Sequence, residues 1–217
     1  MELRAERTAD HSDVERVMRE AFWNVYSPGA SEHFLLHNIR KSPDFIAELA
    51  TVALIGGRIV GAVACMAGTI RTDSGRLVSV VTVGPIGVLP GFQRQGAGRL
   101  LIDSIADKAA AMGHCALMLC GDPAYYSRLG FIPAERFGIR TADDMYFDAL
   151  QARELTPGAL SKAAGTYHES EGYAVDEAAL AAFDTRFEPK EKMSGTPSQL
   201  RFEQMLATMR PRTGAEI

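Results

Sequence analysis

Apolar and polar positions change period several times along the chain, and each change marks an element. Leu3 to Arg7 alternates weakly, as a first strand does. Val14, Val17, Met18, Ala21 and Phe22 then fall on one stripe at helical spacing, with Asp10 or Ser12 as cap and Pro28-Gly29 as the break. Ser31 to Lys41 predicts a second helix, stopped ahead of Pro43. Three runs rich in Val and Ile follow: Ala50–Ile55, Ile59–Met66 and Leu77–Val83. The first two flank Gly56-Gly57 and so predict a hairpin; the third follows the turn Asp73-Ser74-Gly75.

From Gln95 to Met112 the period is helical again, with Leu101, Ile105, Ala109 and Met112 on one face and Gly113 as the stop. Ala116–Cys120 predicts a short strand and Pro123–Leu129 a short helix opening on proline, and a further strand starts at Phe131. A helix thus joins two strands between Val88 and Ala116. That is a βαβ-like crossover inside a mixed sheet, which gives an α/β or α+β class. Beyond about His168 the character shifts. Asp176 caps a short helix bearing Leu180, Phe183 and Phe187, and Glu188–Gly195 reads as a loop. Thr196-Pro197-Ser198-Gln199 is a capping box ahead of the apolar stripe Phe202, Met205, Leu206 and Met209. The expected organisation is a domain over 1–168 and a helical extension over 169–217, packed on that domain or on a partner subunit.

Composition narrows the function. A net charge of −4 disfavours a nucleic-acid partner held through its phosphates. No stretch approaches the roughly 18 apolar residues that span a bilayer, and Met1 to Arg4 lacks the apolar run of a signal peptide. The expected location is the cytoplasm, with no membrane partner. Cys65, Cys115 and Cys120 form neither a disulfide framework nor a zinc motif. Cys120 reads as a small buried hydrophobe. His33 and His37 are four apart on a helix, but Phe34-Leu35-Leu36 between them lacks a metalloprotease glutamate, so no metal is expected.

The segment Ile86-Gly87-Val88-Leu89-Pro90-Gly91-Phe92-Gln93-Arg94-Gln95-Gly96-Ala97-Gly98-Arg99 is the most informative. A strand ends, a short glycine-bearing loop follows, and a long helix begins. A helix start leaves backbone N–H groups free with partial positive charge, and glycines admit a phosphate closely. The P-loop pattern fails because Ala97-Gly98 follows Gly96 where Lys and Ser or Thr belong. The dinucleotide pattern fails because its third glycine position is Leu101.

What remains resembles the GNAT superfamily of acyl-CoA-dependent N-acyltransferases, whose signature Gln93, Gly96 and Gly98 fit, flanked by Val88, Pro90, Phe92 and Leu100-Leu101. The later block Gly121-Asp122-Pro123-Ala124-Tyr125-Tyr126-Ser127-Arg128-Leu129-Gly130-Phe131 resembles the family's aromatic-Tyr pair and Gly-Phe. With Pro157-Gly158-Ala159-Leu160 it is similar to the YhbS-like branch, over roughly Leu3 to His168. The resemblance implies a mixed, mostly antiparallel sheet flanked by helices and splayed between its two central strands. It also implies acetyl-CoA as co-substrate. Pantetheine would lie along Ile86, Gly87 and Val88. The stretch Gln93, Arg94, Gln95, Gly96, Ala97, Gly98 and Arg99 would hold the pyrophosphate. Tyr126 matches the tyrosine that protonates departing CoA thiolate.

A tyrosine near pKa 10 giving its proton to a thiolate near 8.5 moves uphill by about 2 kcal/mol unless the site shifts one of them. A lysine-like amine, pKa about 10.4, costs roughly 4.6 kcal/mol to deprotonate at pH 7; an α-amine costs about 1. The base is the point of departure from the family: Ser79 to Val88 contains no acid. Asp122, His114 and an ordered water stay open. The expected activity is acetyl transfer to a primary amine on a small molecule or peptide. A non-catalytic acyl-CoA sensor and an interaction module assembling through its C-terminal helices are the alternatives. Homodimerisation is an analogy from the family.

Overall fold

In the computed structural model, which describes residues 1–212, the order of elements is mixed. Strand β1 (Glu2–Ala5) leads to α1 (His11–Phe22) and α2 (Glu32–Ile39), then to β2 (Thr51–Ile55), β3 (Arg58–Thr72) and β4 (Leu77–Val88). Helix α3 (Ala97–Ala111) and β5 (Ala116–Cys120) follow, then α4 (Pro123–Tyr126), β6 (Ile132–Pro133), β7 (Ile139–Arg140), β8 (Met145–Tyr146), β9 (Leu150–Glu154) and β10 (Gly165–His168). The chain closes with α5 (Glu177–Asp184), α6 (Pro197–Leu206) and β11 (Arg210–Pro211). The expected extension continues to 217; residues 213–217 lie outside the described residues. The architecture is α/β with a mostly antiparallel sheet and flanking helices.

The elements group into two compact units. The first comprises Met1–Met66, Gly84–Ile105 and Glu171–Leu200. There β1 pairs antiparallel with β2, Glu2 opposite Leu54, and β2 with the start of β3. Gly56 and Gly57 both take positive φ, 57° and 78°, as a tight two-residue hairpin turn requires. Every residue from Ile59 to Met66 is buried, so alternation gives way to a continuous apolar run.

Helix α1 ends at Phe22, earlier than the Pro28-Gly29 break predicted from sequence. The cause is Asn24, which sits at φ 60°, a left-handed geometry that asparagine tolerates better than most residues. Its side chain accepts from the amides of Gly29 at 2.8 Å and Met193 at 3.1 Å and donates to Glu191 O at 3.1 Å. Its own carbonyl accepts from Thr196 Oγ1 at 3.0 Å. Trp23 Nε1 also donates to Glu191 O, at 2.9 Å. Helix α5 is capped by Asp176, whose carboxylate accepts from Ala179 N at 2.7 Å, and both halves of the Thr196–Gln199 capping box form.

Between α1, α2 and α5 lies a buried polar group. Arg19, stacked 4.2 Å over the Trp23 ring, donates to Asp184 Oδ1 at 2.7 Å. Burial opposes the Asp184 charge, but Arg19, His33 and Lys192 outweigh it and hold the carboxyl below its ordinary range. His33 is fully buried; its Nε2 lies 3.3 Å from Asp184 Oδ1, off the direction of a hydrogen bond, so neither ring nitrogen is satisfied. Burial pushes its pKa down to about 4 despite Asp184. His37 turns instead to Glu15, 2.9 Å away. The two histidines that share helical spacing therefore serve two different carboxylates.

The second unit comprises Ala67–Val83, Ala106–Ser170 and residues from Arg201 on. The end of β3 pairs antiparallel with β10, Gly165 opposite Thr72 and His168 opposite Thr69. Strand β10 runs parallel to β7, and β5 is antiparallel to β9, which pairs with β6. Strands β4 and β5 pair in parallel at Val81–Leu117 and Thr82–Met118 and part beyond them, although β5 continues to Cys120. Ile70, Val80, Met118, Leu150, Leu160 and Tyr167 anchor the core here, joined by Met205 from α6.

Candidate active site

The glycine-bearing loop lies wholly in the first unit. Strand β4 runs unbroken to Val88, past the Val83 end read from the pattern, although Gly84, Pro85 and Gly87 interrupt the apolar run. Tyr173 Oη donates to Gly84 O at 2.8 Å, supplying a partner that the local sequence does not contain. Gly87 is buried under α1: a β-carbon there would lie 2.8 Å from Met18 Sδ and 3.0 Å from Ala21 Cβ. Ile86 and Val88, on the opposite alternation, are half-buried.

Leu89 N–H donates to Val60 O at 2.8 Å and fixes where the chain leaves the strand. Pro90–Phe92 makes one 3-10 turn. Two side-chain amides then brace the loop from within: Gln93 Nε2 donates to Val88 O and Gln95 Nε2 to Gly91 O, each at 3.1 Å. Arg94 takes φ 60° and Gly96 φ 89°. Left-handed residues of this kind turn successive N–H groups to one side and form an anion-receptive concavity.

Helix α3 begins at Ala97, and its first turn closes with Leu100 N–H donating to Gly96 O at 3.0 Å. The N–H groups of Ala97 and Gly98, in the first turn, have no acceptor within the helix. Gln93 to Gly96 are exposed, and a β-carbon on Gly91 or Gly96 would meet no atom within 4 Å. A fifteen-residue helix thus presents its positive end beside a loop whose two glycines, Gly91 and Gly96, leave open space above the backbone.

Tyr126 lies in the second unit, at the end of α4. Its ring is packed against the Cα of Gly121, leaving no room for a β-carbon, and meets Phe131 edge-on at 5.6 Å and Tyr125 at 4.9 Å. Gly121 N–H donates to Ala149 O at 2.9 Å, which anchors the turn out of β5. Asp122, a base candidate by sequence, caps α4 by accepting from Ala124 N at 2.9 Å and binds Arg201 at 3.0 and 3.1 Å. The Arg201 hydrogen bonds hold its carboxyl below the ordinary range, which makes it a poor proton acceptor.

Cys120 corrects the sequence reading: it is open to solvent on one side rather than a sealed core residue. Protein nevertheless encloses it enough that burial, helped by the Glu169 charge, pushes its thiol up to about 12. Tyr167 Oη lies 2.6 Å from Thr82 Oγ1, at the point where β4 and β5 part. Glu169, one residue past β10, has its carboxyl raised by burial. The pattern gave no hint of Tyr167 or Glu169, because a chain segment 85 residues downstream brings them to Thr82.

Residues 46–133 match the acetyltransferase (GNAT) domain. The chain is 28% identical over 172 residues to the uncharacterized N-acetyltransferase YhbS of Escherichia coli strain K12, spanning 78% of this chain and 97% of that protein. The crystal structure of E. coli YhbS in complex with CoA superposes with a TM-score of 0.69 at 25% identity, over 79% of this chain and 91% of that one. A GNAT family acetyltransferase from Brucella melitensis, in complex with acetyl-CoA, shares the fold with a TM-score of 0.64 at 22% identity, over 80% and 97% of the two chains. No helix among the described residues is long and apolar enough to cross a membrane.

Proposed function

We propose that the chain transfers the acetyl group of acetyl-CoA directly to a primary amine of a small molecule or peptide. The start of α3 carries this reading: the positive end of a long helix, a left-handed Arg94 and Gly96, and open space over Gly91 and Gly96 suit a pyrophosphate. Amides from Arg94 to Arg99 hold that group, with Gln93 and Gln95 as internal braces, and pantetheine lies along Ile86, Gly87 and Val88. The CoA and acetyl-CoA in the two similar structures support the choice of ligand.

In this reading the amine attacks the thioester carbonyl, the C–N bond forms and the C–S bond breaks. Tyr126 gives its phenolic proton to the CoA thiolate. The neighbouring Cys120 supports that step: surroundings that push one thiol up to about 12 disfavour a second thiolate beside it. This offsets the roughly 2 kcal/mol by which an unshifted tyrosine is the weaker acid. Residues 169–217 form a helical extension packed on the domain or on a partner subunit, and cytoplasmic action and homodimerisation belong to the same reading.

The test is calorimetric titration of the protein with acetyl-CoA and CoA beside a Gly96→Glu variant. Binding by the wild type that vanishes in a folded variant supports the loop as the cofactor site. A folded wild type that binds neither ligand overturns the reading.

A further inference from the structure

The sheet brings a carboxylate to the opening between β4 and β5 that no acid on β4 supplies. Strand β10 pairs with β3 so that Tyr167 stands opposite Ile70 and His168 opposite Thr69. One step further along this register, Glu169 falls opposite Gly68. Residues opposite each other in an antiparallel pair point to the same face of the sheet. At Gly68 that face is occupied by other groups: a β-carbon would lie 2.5 Å from Thr82 Oγ1 and 3.2 Å from the Tyr167 ring. The absent side chain lets Thr82 and the Tyr167 ring close over Gly68, on the face that Glu169 shares with Tyr167. Thr82 is the last β4 residue paired with β5, so this face adjoins the place where the two strands part.

The other wall comes from β5. Cys120 lies two residues beyond Met118, the partner of Thr82, and interacts electrostatically with Glu169, as Tyr167 does. Gly121 follows, with the Tyr126 ring against its Cα. Thr82, Tyr167, Glu169 and Cys120 thus come together from β4, β10 and β5, with Tyr126 held against the residue that follows Cys120. Glu169 is reached by solvent, unlike Tyr167, so a ligand can touch it.

We propose that Glu169 is the general base of the acetyl transfer, a catalytic residue that takes the proton from the attacking amine nitrogen. The proposal rests on the acyl-transfer reading above. As the C–N bond forms, one N–H proton passes to the Glu169 carboxylate. As the C–S bond breaks, Tyr126 protonates the thiolate. The proton on Glu169 then returns to the Tyr126 phenolate through water, so the amide and free CoA leave an unchanged protein. A carboxyl raised by burial is better matched to this task than an ordinary glutamate, and the two groups that interact electrostatically with it, Cys120 from β5 and Tyr167 from β10, are neutral at pH 7.

The test compares wild type, Glu169→Gln and Glu169→Asp. Thiol release from acetyl-CoA is followed with spermidine, phenethylamine and a peptide with a free α-amine, and with water alone as acceptor. The expected result is a fall of about 10²–10³-fold in turnover for Glu169→Gln, partial recovery in Glu169→Asp, and unchanged acetyl-CoA affinity by calorimetry. The rise of wild-type turnover with pH on the acid side disappears in Glu169→Gln. Turnover by Glu169→Gln within about threefold of wild type, or an acid limb that persists, overturns the assignment. So does a wild type that binds acetyl-CoA yet acetylates none of these acceptors, water included. Failure of the wild type to bind acetyl-CoA at all is the separate result that removes the acyl-transfer reading itself.

Discussion

Gly121 and Tyr126 are pressed together so closely that no β-carbon fits between the glycine Cα and the aromatic ring. The ring position therefore depends on a hydrogen atom at 121, and two substitutions separate position from chemistry. Tyr126→Phe keeps the packing and removes the proton; turnover with acetyl-CoA is expected to fall about 10²–10³-fold. Gly121→Ala keeps the hydroxyl and moves the ring, with a comparable fall and a loss of stability of about 1–3 kcal/mol from overpacking. Steady-state assays, with CoA affinity measured separately by calorimetry, check both.

Gly96 carries a φ that a side chain resists. Gly96→Ala adds strain of roughly 1–2 kcal/mol in the left-handed region, and relief comes from rotating the loop away from its amide-presenting form. CoA affinity should weaken about 5–30-fold while the unfolding midpoint moves little, because no packing is lost at a site open to 4 Å. Gln93→Ala, which releases the brace on Val88 O, should weaken binding by less than tenfold.

His33 makes stability depend on acid. The unfolded chain binds its proton near pH 6.5, whereas the folded protein holds the ring neutral down to about 4. Stability is complete above pH 6.5 and is lost as pH falls through the window between the two values. Lowering the pH from 7 to 5 should cost about 2 kcal/mol through this residue. Urea unfolding at the two pH values checks it, and His33→Leu should show a smaller difference between them.

Asn24 joins the α1–α2 turn to the segment around Glu191. Asn24→Ala strands the amides of Gly29 and Met193 and leaves φ 60° without the polar side chain that makes asparagine tolerant of it, with an expected cost of about 2–4 kcal/mol. Asn24→Gly should recover about 1 kcal/mol of that loss, since glycine accepts the backbone but not the hydrogen bonds. Chemical unfolding of the pair separates the two contributions.

The elements built on local signals were legible in the sequence. Gly56-Gly57 announced the hairpin, the Leu101–Ile105–Ala109 stripe announced α3, and the Thr196–Gln199 box announced α6, because each signal lies within a few residues of its effect. The loop from Gln93 to Arg99 was legible for the same reason. Long-range partners were not. Tyr173 supports Gly84 from 89 residues away, and Glu191 ends up against Trp23 across 168 residues. The His33–Asp184 contact and the packing of Thr82 and Tyr167 over Gly68 likewise exist only once distant segments meet. Cys120 was misjudged because β5 parts from β4 two residues before it, and the parting leaves no mark in a pattern of apolar residues.

The Asn24 junction also orders events during synthesis. A ribosome delivers Asn24 early and its partner Glu191 only 167 residues later. At about 5–20 residues per second, the interval is roughly 10–30 s. Throughout it the amides and carbonyl of the α1–α2 turn, and the face of α1 that bears Arg19, face solvent or whatever else binds nascent chains. The first unit thus completes itself only after most of the second has already been translated, and a helper that shields α1 in the meantime would act on it before the rest of the chain could.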